Sequence, residues 1–197
     1  MPHLLAKKQE EKTITILCVG TGSGQEPYSL AIMLNQAIPE LRDWTISIIA
    51  ADTSSSRLNR CQQGVFTTHE VDQGTPKKLV ENSFENLDST LRVEKSHRKL
   101  VTTQKLSLNT PIQSVPPVDL ILARNLPSSF RSSHQKTMIE KLQSRLNPKG
   151  YMLLDRSCQG RTYEGLKALD NRFQIPVFTT LPGAEKPAPA EAVQEVV

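Results

Sequence analysis

The chain has 197 residues, 37% hydrophobic and 22% charged, with a formal net charge of +4, so it has room for one domain with a core able to fold alone. No apolar run approaches the ~20 residues that a membrane-spanning helix needs, and the opening MPHLLAKKQEEK has neither the apolar segment nor the cleavage site of a secretory signal. Cys18, Cys61 and Cys158 are odd in number, far apart and outside any CxxC spacing, which argues for reduced thiols in a cytoplasmic protein and against a disulfide scaffold or zinc site.

In chain order, residues 1–12 read as a frayed, flexible lead-in. A β-branched run from Thr13 to Val19 is a strand, and it ends in three alternating glycines, Gly20, Gly22 and Gly24. A helix is expected from Glu26 to Ile38, with Pro27 in its first turn, Leu30, Ile32, Met33 and Leu34 along it, and Pro39 ending it. Trp44 to Ala51 is a second apolar strand, closed by Asp52. Ser54, Ser55 or Ser56 then caps a helix near Ser55 to Gln63, which Gly64 ends. Short apolar strands separated by helices predict an α/β fold with a parallel sheet built from βαβ units.

Between Val65 and Leu106 the rhythm changes. Pro76 to Phe84 reads as a short helix, and Leu91–Val93 with Leu100–Thr103 as a small β-hairpin inserted into the frame. Val118 to Ala123 is a buried strand. The helix after Ser132 or Ser133 carries Met138, Ile139, Leu142 and Leu146 at helical spacing. Asn147 to Gly150 reads as a turn, Tyr151 to Leu154 as a strand, Tyr163 to Leu169 as a helix and Phe173 to Thr179 as a last strand. The body thus spans 13–181, with 65–106 as the insertion, and the Pro, Ala and Glu-rich segment 182–197 reads as a linker or disordered tail.

Charge is uneven along the chain. Arg92 to Lys105 holds Arg92, Lys95, Arg98, Lys99 and Lys105 against Glu94 alone, and Arg124 to Arg161 is similarly basic. A solvated face and a surface that attracts an acidic partner both fit this pattern. No aromatic interleaving or reader motif points to nucleic acid. His3, His69, His97 and His134 share no metal-ligand spacing and are expected at the surface.

A strand, a glycine turn and a helix N-terminus in that order form a cofactor cradle, because glycine turns tightly and admits a close ligand. A phosphate loop needs Lys after the last glycine, where Gln25 stands. A nicotinamide site wants GxGxxG and an acidic residue about 20 residues on, whereas the spacing is GxGxG and Asp52 lies farther along. A GxSxG elbow fails because Ser23 is flanked directly by glycines. S-adenosylmethionine (SAM) remains, with Asp52 as acceptor for the ribose hydroxyls and Glu26 near its amino-acid end; an N-cap or turn role is the alternative for Asp52.

Gly24-Gln25-Glu26-Pro27-Tyr28-Ser29-Leu30-Ala31 resembles the GEEPYSLA signature of CheR-type chemotaxis receptor methyltransferases. The similarity continues in order through Ala50-Ala51-Asp52-Thr53, Gly64-Val65-Phe66, Val118 to Asn125 (the family's FDLILCRN) and Asn147 to Tyr151 (its LxPGGY). The resemblance implies a Rossmann-like class I SAM-dependent methyltransferase fold with an inserted β subdomain. It implies SAM or S-adenosylhomocysteine (SAH) held by the glycine turn, Glu26, Asp52, Ser107, Leu108, Arg124 and Asn125. The reaction it implies is methyl transfer to receptor glutamates.

The chain also departs from that pattern. In the family an arginine of a TxFFR motif ahead of the glycine turn and a tyrosine after the RN pair sit near the methyl group. This chain contains no TxFFR stretch, it begins about a dozen residues before its first strand, and Ser129 stands at the tyrosine position. The family's GHSE reads Asp155-Arg156-Ser157-Cys158. The expectation is therefore a SAM- or SAH-binding domain with degenerate catalysis, acting as a regulatory or partner-binding module in chemotaxis-type signalling. Restoring Ser129→Tyr alone is not expected to rescue turnover. An active receptor-glutamate methyltransferase is the first alternative and a nucleic-acid methyltransferase the second. Lys95, Arg98 and Lys99 are expected to dock an acidic helical protein, such as a chemoreceptor or signalling partner.

Overall fold

The computed structural model describes residues 2–38, 41, 43–72, 76–124, 126, 131–169 and 175–190. Alternation within the first strand sets the layers. In β1 (Thr13–Val19), Ile14, Ile16 and Cys18 pack on one face of a sheet, and Leu17 and Val19 on the other. All five are buried, as a strand covered on both sides requires. The chain then forms α2 (Gln25–Ala37), preceded by a helix α1 (Pro2–Lys7), and continues through β2 (Thr45–Asp52) and α3 (Ser55–Gln63). Next come β3 (Val65–Thr67), α4 (Thr68–Asp72), α5 (Lys77–Ser83), β4 (Phe84–Leu87), β5 (Thr90–Val93) and α6 (Lys95–Arg98). The frame resumes with β6 (Val101–Lys105), β7 (Val118–Ala123), α7 (Ser132–Gln143), β8 (Leu146–Leu154), β9 (Leu166–Leu169) and β10 (Val177–Thr180).

The main sheet has seven strands in the order β6-β2-β1-β7-β8-β10-β9. Strands β6, β2, β1, β7 and β8 are parallel, while β10 runs antiparallel between β8 and β9. Leu30, Ala31 and Leu34 of α2 cover one face with Leu4 of α1, and Met138, Ile139 and Leu142 of α7 cover the other. Strand order reverses direction between β1 and β7, which opens a crevice at the carboxyl ends of these strands.

A second, three-stranded antiparallel sheet, β3-β5-β4, forms the insertion. The hairpin is β4–β5, not Leu91–Val93 with Leu100–Thr103. Val101–Lys105 pairs instead with β2 in the main sheet, because Ile48 and Ile49 offer it an open parallel edge. A neck joins the insertion to the frame: Val93 N–H donates to Gly64 O (2.9 Å), Arg98 Nε–H to Val93 O (2.9 Å) and Tyr28 O–H to Cys61 O (2.8 Å). Phe66, Val71 and Val93 pack there with Tyr28, Ala50 and Cys61.

Four further expectations are corrected. Residues 2–7 form a helix rather than a frayed lead-in, because Leu4 finds a buried place on the sheet. Asn147 to Gly150 is a bulge inside β8, where the pairing with β7 slips between Val118 and Leu120. The segment expected as a helix over Tyr163 to Leu169 contains β9, since Leu166 to Leu169 pairs with β10. His97 is buried rather than at the surface, with Asn35 Nδ2 3.0 Å from its Nδ1, and burial lowers its pKa against the opposing pull of Glu94. Within the second basic tract Arg145 is also buried, and its Nη2 donates to Ala188 O (2.7 Å). Residues 184–190 have no regular secondary structure; Pro39, the residues expected to begin the last strand and the end of the chain after residue 190 lie outside the described residues.

Asp119 pins the far end of the sheet. It is 3% exposed, and its Oδ2 accepts from Thr15 N–H (3.0 Å) while Oδ1 accepts from Asn147 Nδ2 (2.8 Å) and Lys8 Nζ (3.0 Å). One carboxylate thus ties β1, β7, β8 and the residue following α1. Lys8 has its pKa raised despite burial, because Glu11 and Asp119 both hold its charge.

Candidate functional site

The carboxyl ends of β6, β2, β1 and β7 bring together most of the residues singled out from the sequence. Gly20 and Thr21 both donate backbone N–H groups to Ala51 O, at 2.8 and 3.2 Å, so the glycine turn leans on the end of β2. Gly24 takes a left-handed conformation (φ +100°) as the residue before α2, and a Cβ there would stand 2.6 Å from Cys61 Sγ. Gly22 is also left-handed (φ +57°), but a Cβ there would meet nothing within 4 Å, so this glycine faces open space. Leu126, after β7, packs over Gly20.

Asp52 is held firmly and is 5% exposed. Its Oδ2 accepts from Gly22 N–H (3.0 Å), and its Oδ1 accepts from Ser54 N–H (2.9 Å) and Arg57 Nη2 (3.0 Å). The carboxylate therefore fixes the glycine turn and the entry to α3 together. Ser54 caps α3 through its side chain and Gly64 closes it. Leu106 N–H donates to Asp52 O (3.0 Å), which places Ser107 and Leu108 beside the same strand end. Leu108 is buried in the core and Lys141 Nζ donates to its carbonyl (2.7 Å).

Glu26, in the first turn of α2, meets Arg124 across the crevice with Nη1 to Oε1 at 3.5 Å. Burial raises the Glu26 pKa, and the Arg124 guanidinium opposes that rise. Cys18 and Cys61 lie beneath the turn. Burial pushes both thiols up, Cys61 to about 11, so neither is a thiolate nucleophile near neutral pH. Thr21 Oγ1 is buried with no hydrogen-bond partner among the described residues. No group of His, Cys, Asp and Glu among those residues is arranged to hold a metal ion.

A family model, CheR methyltransferase, SAM binding domain, matches residues 1–167. The chain belongs to this family. Among curated relatives of this CheR domain, a chemotaxis protein methyltransferase of Vibrio parahaemolyticus is 29% identical over 179 residues, covering 89% of this chain and 62% of the relative. A chemotaxis protein methyltransferase of Borreliella burgdorferi is 29% identical over 175 residues, covering 86% and 60% respectively. The chain thus spans about 62% of the length of the first relatives it matches. Among solved structures, PKMT2 from Rickettsia typhi in complex with AdoHcy aligns at 17% identity and a TM-score of 0.45, covering 73% of this chain and 21% of that one.

The residues present in this CheR domain fit SAM or SAH. Asp52 supplies an anionic acceptor at the end of β2, Gly22 leaves the cradle open, and Glu26 supplies a carboxyl group at the helix start. Of the other expected residues, Asn125 and Ser129 lie outside the described residues. Lys95 and Lys99 are exposed on and after α6, whereas Arg98 is half-buried and engaged with Val93 O. Sequence reasoning overlooked Arg57 and Thr21. Arg57 had a signal available, a basic residue in the first turn of the helix that follows an acidic strand end.

Among the described residues no helix is long and apolar enough to cross a membrane.

Proposed function

We propose that the chain binds SAM or SAH at the Gly20–Gly24 turn and acts as a regulatory or partner-binding module of chemotaxis-type signalling with little methyl transfer of its own. The observation that carries the binding half is the Asp52 carboxylate, buried at the end of β2 beside the glycine turn and oriented by Gly22 N–H and Ser54 N–H. SAM, when bound, supplies a methyl group on a sulfonium centre. Asp52 is positioned to accept ribose hydroxyls and Glu26 to meet the ammonium group. Calorimetry with SAH tests this reading: Asp52→Ala is expected to weaken binding by roughly 1–3 kcal/mol, the cost of losing a charged acceptor. Asp52→Asn, which keeps one acceptor oxygen for the turn, should weaken it less. Unchanged affinity in both variants would remove Asp52 from the site.

The catalytic half rests on Ser129, which stands where the family places a tyrosine. A carboxylate attacking a methyl group must be aligned and stripped of water, so positioning groups supply most of the acceleration. The chain is expected to move tritiated methyl from SAM to chemoreceptor membranes at least ~100-fold more slowly than the V. parahaemolyticus relative assayed alongside, the scale of a misplacement near 1 Å. Turnover within tenfold of the relative would favour the second reading, an active receptor-glutamate methyltransferase, for which the names of the relatives speak.

The partner is proposed to be an acidic helical protein met by the exposed ammonium groups of Lys95 and Lys99. Arg98 is left out of this surface because its guanidinium serves the neck of the insertion. Reversing both lysines to Glu is expected to abolish pull-down of an acidic receptor helix while SAH affinity stays native. Loss of SAH binding in that variant would show that the two surfaces are not separate.

A further inference from the structure

Resting on the reading that Asp52 receives the ribose, we propose that Arg57 is a displaceable latch that occupies one of the two hydroxyl-binding positions of this carboxylate. An ionised carboxylate offers about four acceptor positions. Three are already taken: one on Oδ2 by Gly22 N–H, and two on Oδ1 by Ser54 N–H and Arg57 Nη2. A ribose diol brings two O–H donors, so one of its hydroxyls finds no free lone pair while Arg57 is docked.

Of the three occupants, the two backbone donors cannot leave. Gly22 N–H belongs to a turn tied to Ala51 O through Gly20 and Thr21, and Ser54 is the cap of α3. Arg57 is different. Its side chain is 54% exposed, and it reaches Asp52 from the first turn of α3 through a long, flexible stem. An ion pair with one partner this exposed is weakly held and screened by salt. Asp52 itself is almost fully covered, so a ligand that binds in two-pronged fashion must move the guanidinium aside. Arg57 thus sets the affinity of the site from within: docked, it presents a single acceptor on Oδ2; swung out, it presents two.

The test uses SAH, whose ammonium and carboxylate groups cancel, so that loss of the Arg57 charge does not itself attract the ligand. Arg57→Ala is expected to tighten SAH binding by about tenfold, since the ligand gains a second hydrogen bond to a charged group and has no ion pair to break. In the native chain, raising NaCl from about 0.05 M to about 0.5 M should tighten binding by screening the latch, and in Arg57→Ala the affinity should stay flat. Removing one hydroxyl, as in 2′-deoxy-SAH, should cost little with the native chain and about tenfold with Arg57→Ala, because a site that holds a hydroxyl rejects its absence. Weaker or unchanged SAH binding in Arg57→Ala, with Asp52→Ala impaired as above, overturns the latch and leaves the site standing. Native affinity in Asp52→Ala overturns both.

Discussion

Gly24→Ala is expected to cost the fold about 2–5 kcal/mol, from roughly 1–2 for a side chain in the left-handed region and 1–3 for overpacking. The added methyl group would stand 2.6 Å from Cys61 Sγ, 3.2 Å from Cys61 Cβ and 3.3 Å from the Tyr28 ring. Cys61 is fully buried and cannot retreat. Tyr28 is fixed too, by its bond to Cys61 O, and burial holds its hydroxyl neutral with a pKa pushed up to about 12. Gly22→Ala makes the contrast. It carries the same backbone strain, about 1–2 kcal/mol, but its methyl group meets no protein atom within 4 Å. That methyl group points into the cradle, so SAH affinity should fall more than stability. Thermal unfolding and SAH calorimetry on the two variants separate packing from ligand access. A Gly24→Ala protein with native Tm would sink the packing argument, and a Gly22→Ala protein with native SAH affinity would move the ligand elsewhere.

Asp119→Ala is expected to lower unfolding free energy by about 2 kcal/mol or more, because it orphans two half-buried donors at roughly 1–3 kcal/mol each. These are Thr15 N–H and Asn147 Nδ2. Lys8 is less affected, since Glu11 already holds its ammonium group at 2.7 Å. Asp119→Asn keeps one acceptor and should cost less. Denaturant titration reads both, and an Asp119→Ala value within about 0.5 kcal/mol of native, the range of ordinary surface changes, would mean the network contributes nothing.

Such networks mark the boundary of what the sequence discloses. The strands of the parallel sheet were legible because Ile14 to Val19, Ile46 to Ala51 and Val118 to Ala123 are short, apolar and β-branched, and the glycines and Asp52 fall at their ends. Gly64 as the close of α3 was legible from local chemistry alone. What stayed hidden depends on distant partners. Val101–Lys105 has no feature that tells which sheet it joins; the open edge of β2 decides. Leu166 to Leu169 contains good helix formers, and pairing with β10 overrides them. The helix at Pro2–Lys7 is too short to hold by propensity and exists because Leu4 is covered. Within the site, the Arg57–Asp52 pair is local, five residues apart, and was legible in principle from a basic residue in the first turn after an acidic strand end.

The neck at Gly64 and Val93 also bears on how the sheet is completed. Strand β6 pairs with β2 only after the whole insertion has been bypassed, and parallel pairing across a long excursion carries a chain-entropy penalty. Strands β4 and β5 pair as a local hairpin, β3 then closes onto β5 with Val65 opposite Arg92, and once it does, Val93 N–H donates to Gly64 O at 2.9 Å. From that moment the excursion is short-circuited. The segment that must still be closed runs only from α3 across the neck and through α6 to β6. Since closure entropy depends on the effective rather than the covalent length of the loop, the insertion can grow, shrink or be exchanged at its outer turns while the cost of docking β6 stays nearly the same.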